Sequence, residues 1–263
     1  MSVLDEICAN RAKQVAELKA LNPISTLEKS IYFQRERFSL DAFLNRPDKS
    51  GIIAEFKRKS PSKGIINANA TVKETTTAYV AAGASALSVL TEPSYFQGKD
   101  EDLIEARKAN ECPILRKDFT VDEYQIIEAR AIGADAILLI AAMLTKEKIK
   151  QFHATAKSLG IEVLIEVHDK EELDLLPQGD FVLGVNNRNL KTMKVDIQTS
   201  IDLAGALGNN KTLISESGLH QPEDLIKLKS YGYKGFLIGE AFMKTGNPGK
   251  ELARYVQALK LAV

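Results

Sequence analysis

Lysines and carboxylates fall where short apolar runs come to an end. The stretch "IIAEFKRKSPSKG" carries Glu55 and Lys57 at the close of an apolar run, and "PILRKDF" places Lys117 in the same way. "VLIEVH" carries Glu166, "VLGVNNRN" carries Asn186 and Arg188, and "LISESG" carries Glu216, Ser217 and Gly218. "LIGEAF" brings Gly239 and Glu240. An ammonium can donate a proton and a carboxylate can take one, so this set is equipped for acid–base chemistry on an anionic substrate. Alternate side chains of an extended chain share a face. Glu55 then points with Lys57, Lys117 with Leu115 and Phe119, and Asn186 with Arg188. Taken singly, each charge could mark an exit into solvent, and Glu55 with Lys57 could be a structural ion pair. Converging on one mouth, they would cost desolvation and add little stability, which makes sense in a binding site. A lysine crowded there beside another cation is expected to have a lowered pKa.

The elements that must bring these residues together repeat. Eight apolar runs alternate with helical segments: Ile52–Phe56, Ala86–Leu90, Pro113–Arg116, Ala136–Ile140, Glu162–Ile165, Phe181–Val185, Thr212–Ile214 and Gly235–Ile238. The helical segments expected between and after them are Val72–Ala82, Glu101–Ala109, Val121–Ile132, Lys146–Leu159, Lys170–Leu176, Asp196–Leu207, Pro222–Ser230 and Gly249–Leu261. Several end in a glycine that starts the return to a strand, as in "YVAAGASALSVL" and "ARAIGADAILLI". Eight βα units imply an α/β fold with a parallel sheet, and the closure that leaves no edge strand is the (β/α)8 TIM barrel. A doubly wound open sheet is the rival, but no GxGxxG opens a helix. Residues 1–47 read as a helical extension packed on the barrel, with Leu4, Ile7, Cys8, Val15 and Leu18 near helical spacing. Residues 48–263 form the barrel.

In a barrel the chemistry sits at the C-terminal ends of the strands, and phosphate is often held after the last two. The glycines of "ESGL" and "LIGEAF" would free backbone N–H groups there for an anion. Ser60 and Lys63 could reach in from the first loop. His153, His168 and His220 show no metal-ligand spacing, and His168 and His220 read as cap or loop residues. No metal site is expected.

Composition narrows the class. Lys plus Arg and Asp plus Glu are 35 each in 263 residues, so no global field recruits nucleic acid or an anionic membrane. The apolar run around Asp135 is too short to span a bilayer, and the charged N-terminus is unlike a signal peptide. Cys8 and Cys112 form no disulfide framework. A soluble cytoplasmic protein is expected.

At this point "IIAEFKRKSPSKG", a strand ending Glu-x-Lys with Ser-Pro-Ser beyond it, resembles the indole-3-glycerol phosphate synthase family. "SVLTEPSYFQG", "PILRKDF", "LIEVH", "GVNNRNL", "SESG" and "LIGEAFM" are similar to that family in its order, and the resemblance covers essentially the whole barrel. It implies a carboxy-lyase of tryptophan biosynthesis. The reaction converts 1-(2-carboxyphenylamino)-1-deoxyribulose 5-phosphate to indole-3-glycerol phosphate with loss of carbon dioxide and water, and without a cofactor. By this resemblance Lys117 is the general acid, Glu166 the base of the dehydration, and Lys57 an assisting lysine. Glu55 and Asn186 orient them, and Glu216 is a further mouth carboxylate. Ser60, Ser217, Gly218, Gly239 and Glu240 match substrate and phosphate contacts. Arg188 lies near the substrate carboxylate, and Phe96 and Phe119 wall the anthranilate ring. At position 240 some family members carry serine, so only the backbone N–H of Glu240 could serve a phosphate. A monomer is expected, with at most weak association with other tryptophan-pathway enzymes. The rivals are another sugar-phosphate barrel, such as phosphoribosylanthranilate isomerase or a Schiff-base aldolase using Lys57 or Lys117, and a binding protein on a retired barrel.

Overall fold

The computed structural model describes residues 3–190, 192–207 and 210–262, so the outer ends of the chain assigned above, 1 and 263, lie outside the described residues. Eight parallel strands close into a barrel: β1 (Ile52–Phe56), β2 (Ala86–Leu90), β3 (Ile114–Lys117), β4 (Ala136–Ile140), β5 (Glu162–Val167), β6 (Val182–Asn186), β7 (Leu213–Glu216) and β8 (Gly235–Ile238). Each pairs with its neighbour in sequence, and β1 closes on β8 with Ala54 opposite Ile238. The fold is the TIM barrel expected from the repeat.

Both faces of these strands are covered, which is why they read as unbroken apolar runs. Ile53, Leu115, Leu138, Leu164, Ile214 and Leu237 point inward and fill the barrel. Ile52, Phe56, Val89, Ile137, Val185 and Phe236 point outward and pack beneath the helices. On four strands the inward apolar residue stands two positions before the charged one: Ile53 before Glu55, Leu115 before Lys117, Leu164 before Glu166 and Ile214 before Glu216. The change from apolar to charged along one face therefore marks the floor of the mouth.

The helices run close to expectation, with one correction. Lys170–Leu176 is not an α-helix but a 3-10 turn, Glu171–Leu175. Pro177 follows at once and disfavours helical geometry at the residue before it, so the segment is too short to propagate. The turns at Gly83, Gly133 and Gly160 take the left-handed backbone expected of them. Short elements beyond those expected include a helix at Pro93–Phe96 and a 3-10 turn at Ala141–Met143. Beyond β1 the chain forms a small hairpin, Lys59–Ser60 against Gly64–Ile65. A four-residue helix, Glu240–Met243, opens directly after β8.

Three helices precede the barrel: Val3–Leu21, Ile24–Leu27 and Leu40–Asn45. Leu40 and Leu44 plug the end of the barrel remote from the mouth, packing on the inward set. Val15 and Leu27 pack on Tyr124 and Ala131. The seam is fastened by Asp135, whose side chain is fully buried. It accepts from Arg107 at 2.9 Å, from the Phe38 and Ile114 backbone N–H groups at 3.0 and 2.9 Å, and from Arg35. Removing this carboxylate strands a buried guanidinium, so Asp135→Ala is expected to cost about 3–5 kcal/mol. Urea unfolding checks this; a loss below about 1 kcal/mol would show that the seam does not depend on Asp135.

Candidate active site

The mouth holds a cavity of about 550 Å³, a size suited to a small-molecule ligand. Every site residue named from the sequence lines it, and all but Phe96 sit at or just beyond the C-terminal end of an odd-numbered strand or of β6 or β8. Phe96 ends a four-residue helix, Pro93–Phe96, that follows β2. Its ring lies 6.1 Å from that of Phe119, and with Leu138 and Ile140 they give an apolar wall.

Lys117 is the centre of the polar side. Its Nζ lies 3.0 Å from Glu166 Oε2 and 3.2 Å from Glu216 Oε2. Burial alone would pull an ammonium's pKa down, but Glu166, Glu216 and Glu55 outweigh it and push Lys117 up. This corrects the expected lowering: the neighbours that face Lys117 are carboxylates, while Lys57 is paired with Glu55 at 2.5 Å. Burial raises Glu166, but Lys117 and His168 overcome it and hold its carboxyl well below the ordinary range. Glu216 goes the other way. Burial and the nearby Glu166 charge push it up to about 7, against the pull of Lys117.

The amide of Asn186 donates to Glu166 Oε1 at 3.0 Å. Asn187 faces away, its side chain bonded to Ser215, Ser200 and the Ser217 carbonyl. Strand alternation separates the two asparagines. The Asn186 oxygen in turn accepts from the Arg188 backbone N–H at 3.0 Å. Ser60 is buried on the hairpin, and its Oγ has no partner among the described residues. Ser217 and Gly218 both take positive φ, which bends the chain sharply off β7. Of the basic cluster after β1, only Lys57 and Lys63 line the cavity; Lys63 lies 3.7 Å from Glu240. Arg58 turns away to Asp102 at 2.6 Å.

Two glycines leave room for carboxylates. A Cβ on Gly184 would stand 2.5 Å from Glu216 Oε1, and one on Gly239 would stand 2.5 Å from Glu55 Oε1. Several lining residues escaped the sequence reading. Leu4 and Ile7 arrive from the N-terminal helix, and Met193 and Val195 from the loop after β6. His220 also lines the cavity while its backbone N–H is capped by Asp224. His168 lies against Glu166; its position two residues on, on the same face, was the available signal.

A sequence model described as indole-3-glycerol phosphate synthase matches residues 4–255. The chain belongs to the indole-3-glycerol phosphate synthase family. It is 45% identical to the indole-3-glycerol phosphate synthase of Bacteroides thetaiotaomicron over 98% of this chain and 99% of that one. The proteins of the same name from Laribacter hongkongensis and Bordetella pertussis are 41% and 40% identical. They cover 95% and 97% of this chain, and 97% and 98% of their own lengths. Among solved structures, a thiamine phosphate pyrophosphorylase from Pyrococcus furiosus superposes with a TM-score of 0.63 at 14% identity, over 82% of this chain and 98% of that one. That likeness speaks for the fold alone.

Two consequences of the geometry are open to measurement. Gly184→Ala should push Glu216 out of place and cut turnover by up to about 100-fold, the order expected for a misplacement of about 1 Å. Its overpacking cost should be about 1–3 kcal/mol. Full turnover in the folded variant would show that Glu216 needs no fixed position. For Glu216 itself the linkage has a definite sign. Its folded pKa is raised, so between its ordinary value and about 7 the folded chain keeps a proton that the unfolded chain has lost. Stability therefore falls as pH rises through that window. Glu216→Gln should gain thermal stability relative to the parent on going from about pH 5 to about pH 8. A melting-temperature difference that does not change with pH would refute this.

Proposed function

We propose that the chain closes the indole ring of 1-(2-carboxyphenylamino)-1-deoxyribulose 5-phosphate, releasing carbon dioxide and water to give indole-3-glycerol phosphate. The observation that carries the proposal is the buried Lys117–Glu166 pair beneath an apolar wall, in a chain of this family. An arene attacking a ketone needs the carbonyl oxygen protonated as charge develops, and an ammonium held in its charged form is the right donor. Lys117 takes that role. The attacking carbon bears the carboxylate, which leaves as carbon dioxide and restores the aromatic ring. Loss of the new hydroxyl as water then requires a proton to leave the adjacent carbon, and Glu166 is the base for that step. Lys57, steered by Glu55, assists the second proton transfer. Asn186 and Glu216 hold the two principal groups in place.

Binding at both ends of the substrate would press the reacting carbons together. Phe96 and Phe119 receive the anthranilate ring, and Arg188 its carboxylate. Ser60, Ser217, Gly218, Gly239 and the Glu240 backbone receive the sugar and its phosphate, in the loops where barrels commonly hold one. The free Oγ of Ser60 supports this placement. A Schiff-base aldolase would need a neutral lysine, whereas Lys117 is held as an ammonium. A cytoplasmic monomer, meeting other tryptophan-pathway enzymes only weakly, belongs to the same proposal; both thiols are free, as in a reducing compartment.

The test is indole fluorescence on adding the substrate, against a chain that contains no tryptophan. The parent should produce a rise. Lys117→Ala should slow it by about 100-fold to 10,000-fold. No rise from the folded parent would sink the assigned reaction, and an unimpaired Lys117→Ala would sink the role of Lys117.

A further inference from the structure

Glu166 is gripped from a side that the proposed chemistry does not use. His168 lies two residues beyond it, so its ring turns to the same inward face as the strand gives out. Its Nε2 is 3.2 Å from Glu166 Oε1, close enough for an ion pair though outside hydrogen-bond geometry. Its Nδ1 is 3.3 Å from Glu172 Oε2. Glu172 belongs to the 3-10 turn that follows β5, and the same oxygen accepts from the His168 backbone N–H at 2.7 Å. The ring is thus set between two carboxylates, one in the cavity and one behind it. Neither His168 nor Glu172 lines the cavity.

This arrangement selects one protonation state. A neutral imidazole has one N–H and one lone pair. Whichever nitrogen carried the lone pair would face a carboxylate oxygen, and that contact is repulsive. Only the imidazolium offers hydrogen to both. Glu166 and Glu172 are the charged groups set against His168; Lys117 from β3 and Glu216 from β7 approach the far side of the Glu166–Lys117 cluster. We propose that His168, held as an imidazolium between Glu166 and Glu172, is a positioning residue that fixes the direction and the charge of Glu166. Glu172 is its anchor. The proposal rests on the reading of Glu166 as the base.

The direction of the pKa shift agrees with the geometry: burial pulls His168 down, yet the two carboxylates push it up to about 10. With Lys117 at Oε2 and both Asn186 and His168 at Oε1, Glu166 is kept ionised and its carboxylate is held in one orientation. Loss of the imidazolium would raise the carboxyl of Glu166, so it would be protonated, and useless as a base, at a higher pH than in the parent.

Two measurements test this. The first is ring nitrogen NMR of the folded chain, with His168→Asn assigning the signal among the three histidines. His168 should remain an imidazolium beyond about pH 8, where an ordinary histidine has lost its proton. Glu172→Gln should lower its titration midpoint. Titration near the ordinary value of about 6.5 overturns the proposal, and does so whether or not the assigned reaction is correct. The second is the pH profile of turnover. His168→Asn should lower kcat on the order of 10-fold to 100-fold with KM unchanged, and move the acid limb of kcat/KM to higher pH. Unchanged kcat with an unmoved acid limb overturns it, as does a rise in KM alone. Should His168→Asn fail to fold, Glu172→Gln carries both readouts, with changes in the same direction. A parent that makes no indole while its His168 titrates as expected would mean that the assigned reaction has failed and the clamp on Glu166 has not.

Discussion

The ammonium of Lys117, buried between Glu166 and Glu216, is the contact around which the rest of the molecule is arranged. Its three members come from β3, β5 and β7, far apart in sequence. Only a closed barrel with strict inward alternation brings such residues to one layer. The arrangement is costly. Each charge gives up water, and the pair interactions return that cost only with good geometry and saturated partners. The surrounding structure supplies both. Asn186 donates to the oxygen of Glu166 that Lys117 leaves, and Gly184 withholds the side chain that would collide with Glu216. The fully buried apolar floor beneath leaves the charges no lower place to go.

The same strand is gripped from behind. Arg116 and Asp118 flank Lys117 and by alternation point outward. Arg116 reaches Glu128 at 2.6 Å and Asp100 at 2.8 Å, while Asp118 takes both a bidentate contact from Arg11 and the hydroxyl of Thr91. Arg11 belongs to the N-terminal helix, which also sends Leu4 and Ile7 to the cavity wall. The helix preceding the barrel is thus tied to the strand end that carries Lys117. Truncating one partner of such a buried pair leaves a stranded charge, so the connection is rigid rather than incidental.

Much of this was legible in the sequence, for identifiable reasons. Period-two alternation placed Glu55, Lys117, Glu166 and Asn186 on the inward face, because a strand buried on both sides has no other freedom. It also separated Asn186 from Asn187. The count of eight runs gave closure, since the repeat leaves no edge to cover. What was not legible depends on partners distant in sequence. The expected lowering of the Lys117 pKa fails because Lys57, the cation from the neighbouring mouth position, is paired with Glu55, and the groups that do face Lys117 lie 49 and 99 positions away. Arg58 stands beside Lys57 in a basic stretch, but its partner Asp102 sits on an outer helix, a pairing that local sequence does not reveal. His168 looked like a loop residue because the strand's apolar pattern ends before it, although its inward direction does not.

The charge lock also bears on the proposed chemistry. The pull that makes Glu166 a weak base is the same pull that makes Lys117 a weak acid, seen from its two ends. While they are paired with each other, neither is poised to react. A carbonyl oxygen that enters between them and takes the Lys117 proton removes the positive charge that suppresses Glu166. The first proton transfer thereby raises the basicity that the later dehydration requires. On this reading the order of the steps is built into one contact: acid first, base second. The clamp from His168 sets how far that basicity can rise, because it is the positive charge that remains beside Glu166 once Lys117 has given up its own.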